Sequence, residues 1–165
     1  MTDRPSRAWA FGDNIDTDVL APGRLMKLSP EELARHCLEA VNPEFAQSVR
    51  PGDIVVAGRN FGLGSSREQA AVSLRILGVK AVLAKSFARI FFRNAINLGL
   101  PAIVFDETDA VSDGDEVELD RRRQRLLNRS RNASFELPPQ APAIAQILDA
   151  GGLVPLLERR LKREA

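Results

Sequence analysis

The sequence predicts an α/β fold with a mostly parallel β/α core and additional antiparallel strands in the C-terminal third. Between residues 53 and 105, apolar runs and helical patterns alternate as strand–helix–strand–helix–strand, which is typical of a parallel sheet. Between residues 116 and 137, three short runs follow one another with charged turns between them, which favours antiparallel strands. The length of 165 residues predicts a single domain over residues 1–165.

The first fifty residues predict a short strand over 8–11, followed by a turn in FGDNIDTD and a second extended piece at 19–20. Ser29 is placed as an N-cap, with Pro30 at the first helical position, so a helix is expected from there to about residue 40. Asp16 and Asp18 in the turn are interpreted as residues that organise the loop.

The central region predicts strands over 53–57, 79–84 and 100–105, with helices over 66–77 and 88–98 between them. Gly78 and Gly99 stand where a glycine closes a helix. Further on, strands are expected over 116–119, 125–127 and 133–137, followed by a helix over 141–150. Residues 153–165 are expected to form an irregular, charged tail. The arginines between residues 121 and 131 are interpreted as a solvated hairpin.

The composition excludes several classes of protein. Lys and Arg number 23 against 22 Asp and Glu, so a net charge of +1 predicts no binding to nucleic acid or to an anionic membrane. No apolar run approaches the roughly 18 residues that span a bilayer, and the start of the chain lacks the apolar stretch of a signal peptide. A cytoplasmic protein is therefore expected.

The chain has one cysteine, Cys37, and one histidine, His36. An intrachain disulfide is excluded, and Cys37 is expected to be a core residue on a helix. A single histidine beside a single cysteine does not provide a metal site, so no metal bound by this chain is expected.

The segment GRNFGLGSSRE, residues 58–68, follows a predicted strand and opens a predicted helix. One interpretation is anion binding, since backbone N–H groups at a helix N-terminus and the guanidinium of Arg67 suit a carboxylate. The other is simple capping by Ser65 or Ser66, with Glu68 completing a capping box. Spacing alone leaves both open.

Other readings of the glycine-rich loop fit less well. No lysine follows the serines, as a phosphate loop requires, and the dinucleotide fingerprint matches only two glycines. A phosphate- or nucleotide-binding domain remains a weaker alternative. A serine hydrolase is disfavoured because the only histidine, His36, lies on another predicted helix.

NFGLGSSREQA followed by GVKAVLAKSFARIFFRNAINLGLP resembles the swivelling domain of the aconitase superfamily. GDNIDTDVLAPGR and ILDAGGLVPLLERRL are similar to the same free-standing small subunits, those of 3-isopropylmalate dehydratase and homoaconitase. The resemblance covers roughly residues 9 to 161. It implies an aconitase-like swivelling fold and a heteromeric hydro-lyase that interconverts 2- and 3-isopropylmalate in leucine biosynthesis.

The resemblance also implies the roles of individual residues. Ser65 aligns with the catalytic base, and Ser66 and Arg67 align with contacts to a substrate carboxylate. The [4Fe-4S] cluster is expected in a large partner subunit, and the single cysteine of this chain agrees with that division. The isolated chain is expected to be inactive, with a homo-oligomer as an option.

The substrate-selecting loop of these subunits corresponds to residues 24–27. Arg24 or Lys27 is a candidate partner for a distal carboxylate, and the residues between them for an alkyl pocket; an exposed basic loop is the alternative. Leu63 replaces a smaller residue of many relatives. A hydroxy-di- or tricarboxylate is expected as substrate: 3-isopropylmalate, with homoaconitase and 2,3-dimethylmalate dehydratase substrates as alternatives. A non-catalytic carboxylate-binding or regulatory module is the alternative from another class. Arg89 and Arg93 are interpreted as interface or structural residues.

Overall fold

A computed structural model describes residues 5–164. Seven strands form one mixed sheet in the order β4-β3-β2-β1-β5-β6-β7. The strands are β1 (Ser6–Ala10), β2 (Ile54–Ala57), β3 (Ala81–Ala84), β4 (Ala102–Val104), β5 (Glu116–Asp120), β6 (Arg125–Asn128) and β7 (Ala133–Glu136). The helices are α1 (Thr17–Leu20), α2 (Pro30–Ala34), α3 (Phe45–Ser48), α4 (Glu68–Ile76), α5 (Arg89–Asn97), α6 (Pro142–Ala150) and α7 (Leu153–Glu164), and a 3₁₀ turn spans Gly23–Leu25.

The parallel half of the sheet consists of β1 to β4. Strands β2 and β3 are buried at every position, and they pair in register from Ile54 opposite Ala81 to Ala57 opposite Ala84. A continuous apolar run is what a strand covered on both faces requires. The parallel β/α core predicted for residues 53–105 is therefore confirmed.

Alternate residues of the parallel strands enter two different cores. Val55 and Ala57 pack in one core with Trp9 and with Leu74 of α4. Ile54 points to the opposite face and packs in the other core with residues of the antiparallel strands. This division follows from the two-residue period of a strand, which points successive side chains to opposite faces. Helices, including α6, thus cover one face of the parallel sheet, and the antiparallel strands β5 to β7 pack on the other.

The antiparallel half consists of β5, β6 and β7, as the sequence predicted, and β5 joins it to β1. The arginine-rich stretch lies on these strands and their turns. Its side chains form ion pairs with carboxylates: Arg121 with Asp149, Arg129 with Glu118 and Arg131 with Asp115. The interpretation as a solvated hairpin is confirmed.

The region before β2 differs from the prediction. Residues 19–20 are not extended but belong to helix α1, because the Asp16 carboxylate accepts a hydrogen bond from the Val19 N–H at 2.8 Å and caps that helix. Ser29 caps α2 as predicted, but α2 ends at Ala34 rather than near residue 40. Leu38 takes a positive φ of 62° and donates its N–H to the Val19 carbonyl, which no continuing helix permits.

The C-terminal tail is the other correction. Residues 153–164 form helix α7 instead of an irregular segment. Gly151, with φ of 90°, ends α6 in the left-handed conformation, and α7 begins directly after Gly152. Among residues 5–164, no helix has both the length and the apolar character that crossing a membrane would require.

Candidate active site

The loop from residue 58 to residue 67, here called the Ser65 loop, lies at the carboxyl ends of the parallel strands. Open α/β sheets bind ligands at this edge. Backbone hydrogen bonds fix the loop to both neighbouring connections. Gly62 donates its N–H to the Ile15 carbonyl at 2.7 Å, and Phe61 donates to the Ser86 carbonyl at 3.0 Å. The loop is therefore held between the segments that follow β1 and β3.

Two glycines in this loop are required by its shape. Gly62 has φ of 84°, and a Cβ there would lie 2.3 Å from the Phe91 Cβ on α5. Gly64 has φ of 114°, and a Cβ there would lie 2.9 Å from the Thr17 hydroxyl oxygen. Both positions combine a left-handed backbone with close approach of another element, so glycine is the residue that fits.

Ser65 and Ser66 are exposed and do not cap α4. The helix begins at Glu68, and its N-cap is Arg67, which makes no capping hydrogen bond through its side chain. The capping box predicted for Ser65 and Glu68 is wrong, because the Arg67 N–H turns back to the Ser65 carbonyl at 2.8 Å and places Ser65 outside the helix. The Ser65 hydroxyl lies 3.4 Å from that of Thr17 instead.

The backbone of this turn presents free donors. Within residues 5–164, the N–H groups of Ser65, Ser66 and Glu68 donate no hydrogen bond. They lie at the N-terminal end of α4, where the peptide dipoles favour negative charge. The arrangement agrees with the anion-binding interpretation of the loop.

Arg67 is anchored by helix α1 and the residues after it. One nitrogen of its guanidinium, Nη1, donates to the Asp18 carboxylate at 2.9 Å and to the Ala21 carbonyl at 3.1 Å. The N–H of Gly23, and next the guanidinium of Arg67, hold the pKa of Asp18 below its usual value. The same Asp18 oxygen accepts both hydrogen bonds. The other nitrogens of Arg67 make no hydrogen bond within the described residues and remain available for a carboxylate.

The 3₁₀ turn at residues 23–25 lies against this guanidinium, since a Cβ at Gly23 would stand 3.0 Å from Nη2 of Arg67. Arg24 and Lys27 are both exposed. Arg24 pairs with Glu39 at 3.2 Å, and Glu39 also contacts Nδ1 of His36 at 2.9 Å. Lys27 makes no ion pair within residues 5–164, so of these two cations it is the one left free for a ligand.

Other residues from the sequence analysis lie outside the cluster. Arg89 and Arg93 are exposed on α5 and make no hydrogen bond or ion pair with the described residues, so they do not hold the Ser65 loop. Phe91 on the same helix contacts the loop instead. Leu63 is half-buried, and its backbone bridges to Asp16.

No metal site is formed by the described part of the chain. Residues 5–164 contain no group of three or more His, Cys, Asp or Glu side chains that could hold a metal ion. Cys37 is fully buried in the core, as expected, and burial raises the pKa of its thiol. It lies in the turns after α2 rather than on the expected helix, because α2 ends at Ala34. The residues of this chain therefore do not fit an iron–sulfur cluster.

Ser65 and Ser66 of this loop are exposed at the surface of the described chain. A groove of about 420 Å³ lies elsewhere, between β4, the start of α6 and Phe92, and includes none of the predicted site residues. An exposed loop with anchored polar groups is what one half of an interfacial active site would present.

Two residues that contact the site were not singled out for that role from the sequence. The sequence predicts Asp18 only as a residue that organises the loop, and it predicts no role for Thr17. Both are 48 or more positions from their partners Ser65 and Arg67. Asp16, Thr17 and Asp18 are consecutive polar residues after the first strand, and this pattern is the sequence feature that could have marked them. Sequence spacing, however, does not reveal a contact between residues so far apart in the chain.

Comparisons with known proteins show which family the chain resembles. Residues 31–108 match the family described as the Aconitase C-terminal domain. The chain is 50% identical to 3-isopropylmalate dehydratase small subunit 1 of Archaeoglobus fulgidus, over 90% of this chain and 92% of that protein. It is 52% identical to the methanogen homoaconitase small subunit of Methanothermobacter thermautotrophicus, over 90% of this chain and 86% of that protein.

The crystal structure of a 3-isopropylmalate dehydratase from Methanocaldococcus jannaschii superposes with a TM-score of 0.92 at 44% identity, and the match covers 96% of this chain and 95% of that one. Identity near one half over nearly the whole length of both proteins leaves no large unmatched segment. The chain therefore belongs to the family of 3-isopropylmalate dehydratase and homoaconitase small subunits, the hydro-lyase subunits that carry the aconitase swivelling domain.

Proposed function

We propose that the chain is the small subunit of a 3-isopropylmalate dehydratase and supplies the proton-transfer side of its active site. One observation carries the assignment of roles. The exposed hydroxyl of Ser65 stands in a turn where, within residues 5–164, the N–H groups of Ser65, Ser66 and Glu68 donate no hydrogen bond. The guanidinium of Arg67 in the same turn is fixed by Asp18. A base and an anion-binding group are thereby held two residues apart on one open surface.

The chemistry follows from that arrangement. In dehydration, the Ser65 oxygen takes the proton from the carbon next to a substrate carboxylate, and in hydration it returns that proton. Negative charge accumulates on the carboxylate as the proton leaves. The free N–H groups, the Ser66 hydroxyl and Arg67 stabilise this charge, and removal of one such donor costs roughly 10²–10³ in kcat in other enzymes.

The remaining requirements fall to a partner. We assign the [4Fe-4S] cluster, and with it departure of the substrate hydroxyl, to a large subunit, because the single buried Cys37 of this chain does not fit a cluster that needs several thiolates. The open Ser65 surface would then form one wall of a site completed by that subunit.

Reconstitution tests the proposal. The purified chain is expected to show no hydration of 2-isopropylmaleate alone and to gain it with a cluster-loaded dehydratase large subunit. In the complex, Ser65→Ala is expected to lower kcat by at least about 10³-fold, as loss of an essential proton-transfer group does, while assembly measured by sedimentation is unchanged. Ser134→Ala, on exposed β7, is the control.

Two outcomes would count against the proposal. A wild-type complex with no activity on any malate-type substrate would reject the function. Full activity of the Ser65→Ala complex would leave the function standing and remove Ser65 as the base.

Homoaconitase is the second candidate, favoured by the 52% identity to a homoaconitase small subunit and by Lys27, a cation that forms no ion pair with the residues the structure describes. A tricarboxylate has one carboxylate more than isopropylmalate, and in this proposal the exposed Lys27 binds it. If homoaconitate is the substrate, Lys27→Ala should raise its KM roughly tenfold, the loss of one charge-assisted contact, with a much smaller effect on isopropylmalate. If isopropylmalate is the substrate, its kcat/KM should exceed that of the tricarboxylate in the wild-type complex.

A further inference from the structure

Thr17 carries a buried hydroxyl that faces Ser65. The residue is 3% exposed, and its Oγ1 lies 3.4 Å from the Ser65 Oγ. That contact is the one side-chain hydrogen bond of Thr17 within residues 5–164. A buried hydroxyl is normally satisfied by a partner, so the position of Ser65 and the hydrogen bonding of Thr17 depend on each other.

The backbone fixes Thr17 in this orientation. Its N–H donates to the Leu63 carbonyl at 2.8 Å, and its own carbonyl accepts from the Ala21 N–H at 2.8 Å. A β-branched side chain in a helix has few χ1 rotamers. Gly64 passes directly over the hydroxyl, where a Cβ would lie 2.9 Å from Oγ1. The donor is therefore held in place before any substrate arrives.

We propose that Thr17 is a positioning residue that donates its hydroxyl hydrogen to the Ser65 oxygen when that oxygen is deprotonated. The inference rests on the proposed function and deepens it, because it names what stabilises the base. At 3.4 Å the contact is longer than the 2.7–2.8 Å usual between neutral hydroxyls, whereas a hydroxyl bonded to an anionic oxygen approaches roughly 2.5–2.7 Å. The interaction is thus weak with neutral Ser65 and strengthens as charge develops.

The proton count is balanced. The Ser65 alkoxide takes the proton of the substrate C–H bond, whose electron pair passes to the carbon and its carboxylate, and Thr17 keeps its own proton throughout. Charged residues also flank the two hydroxyls: Asp16, Asp18, Arg67 and Glu68. Asp16 caps α1 and Asp18 pairs with Arg67, and no side chain of the four donates to the Ser65 oxygen among the described residues.

The test compares Thr17→Val with Thr17→Ser in the complex with the large subunit. Valine keeps the shape and removes the donor, so kcat is expected to fall roughly 10- to 100-fold, the effect of losing one hydrogen bond to a charged group. The ascending limb of the kcat–pH profile should move to higher pH, because Ser65 without its donor ionises less readily. Thr17→Ser keeps the donor, so its kcat and the position of the ascending limb of its pH profile should match those of the wild type. KM should change little in either variant.

Thr108→Val is the matched control, since Thr108 is also buried, at 7% exposed, and belongs to another turn. If Thr17→Val fails to assemble, Thr17→Cys against Thr17→Ser gives the same comparison, because a thiol is a weak donor of similar size.

A Thr17→Val complex within twofold of wild-type kcat would overturn the proposal. A slower complex whose pH limb stays in place would also overturn it, because that result indicates packing alone. The Ser65→Ala variant distinguishes the role of Ser65 from that of Thr17. If Ser65→Ala is inactive while Thr17→Val has normal activity, only the role of Thr17 is rejected. Full activity of Ser65→Ala, or an inactive wild-type complex, would reject the base assignment and the role of Thr17 together.

Discussion

Among single residues, Asp18 anchors the guanidinium of the candidate site. One of its oxygens accepts hydrogen bonds from the Gly23 N–H and from Arg67, at 2.8 and 2.9 Å. It thereby joins the 3₁₀ turn at residues 23–25 to Arg67, the residue proposed to contact a substrate carboxylate. Its lowered pKa means that the ion pair persists above the usual pKa of about 3.9 and is lost only as the pH falls through a lower value.

Asp18→Asn tests this role. The substitution keeps the shape of the side chain but removes its charge. The guanidinium of Arg67 therefore becomes less ordered, whereas the hydroxyl of Ser65 is unchanged. An ion pair this exposed is weakened by solvent screening, so KM is expected to rise only roughly two- to fivefold, with a smaller change in kcat. Steady-state kinetics of the reconstituted complex measure both parameters.

Asp149→Asn is the matched control for that substitution. Its ion pair with Arg121 has side chains 70% and 26% exposed, against 69% and 27% for Asp18 and Arg67, but it lies on α6. KM should be unchanged there. Equal kinetic effects of the two substitutions would remove Asp18 from the site.

The contrast between Ser65 and Thr17 shows how much of the site was predictable at this scale. Ser65, Ser66 and Arg67 are consecutive, and a glycine-rich turn before a helix predicts their exposure and their nearby free N–H groups. Their supports, Thr17 and Asp18, come from a strand connection 48 or 49 residues earlier. That proximity results from the parallel pairing of β1 with β2 and not from any local pattern.

Among secondary-structure elements, helix α5 supports the Ser65 loop and positions it relative to the sheet. Phe91 on α5 is buried, lies 5.1 Å from the Phe61 ring and occupies the space beside Gly62. Because the loop backbone passes directly over this aromatic side chain, a change at Gly62 is expected to move Ser65.

Gly62→Ala should therefore reduce both stability and activity. The φ of 84° disfavours alanine, and its Cβ would lie 2.3 Å from that of Phe91. Strain and overpacking each cost roughly 1–3 kcal/mol, so the free energy of unfolding in urea should fall by about 2–5 kcal/mol. Gly12→Ala, where a Cβ meets no atom within 4 Å, serves as the control. Equal stability of the two variants would contradict the contact.

Element by element, the sequence predicted best where the periodicity was long and closed by glycine. Helices α4 and α5 and strands β2 and β3 fall within a few residues of their predicted bounds. Helix α1 was missed because four residues are too few to show a period, and the capping role of Asp16 also fits a turn. Helix α7 was missed because its charged residues hid the apolar spacing of Leu153, Leu156 and Leu157.

At the scale of the whole molecule, strand β1 connects the parallel half of the sheet with the antiparallel half, because it pairs with β2 on one side and β5 on the other. Asp53, which is 1% exposed, stabilises this junction between the two halves of the sheet. Its carboxylate accepts hydrogen bonds from the Arg7 N–H at 3.0 Å, the Trp9 indole N–H at 3.1 Å and the Arg50 N–H at 3.0 Å. The two cores thus meet at a buried polar group with several donors.

Asp53→Asn should destabilise the whole fold without altering the chemistry of the Ser65 loop. An amide presents N–H hydrogens to at least one of those donors, and a buried donor left unpaired costs about 1–3 kcal/mol. A loss of roughly 3 kcal/mol predicts a Tm lower by about 6–12 °C for a chain of this size. Asp120→Asn, which removes a carboxylate from the more exposed end of β5, should shift Tm by much less. Calorimetry measures both; equal Tm values for the two variants would show that the junction does not depend on Asp53.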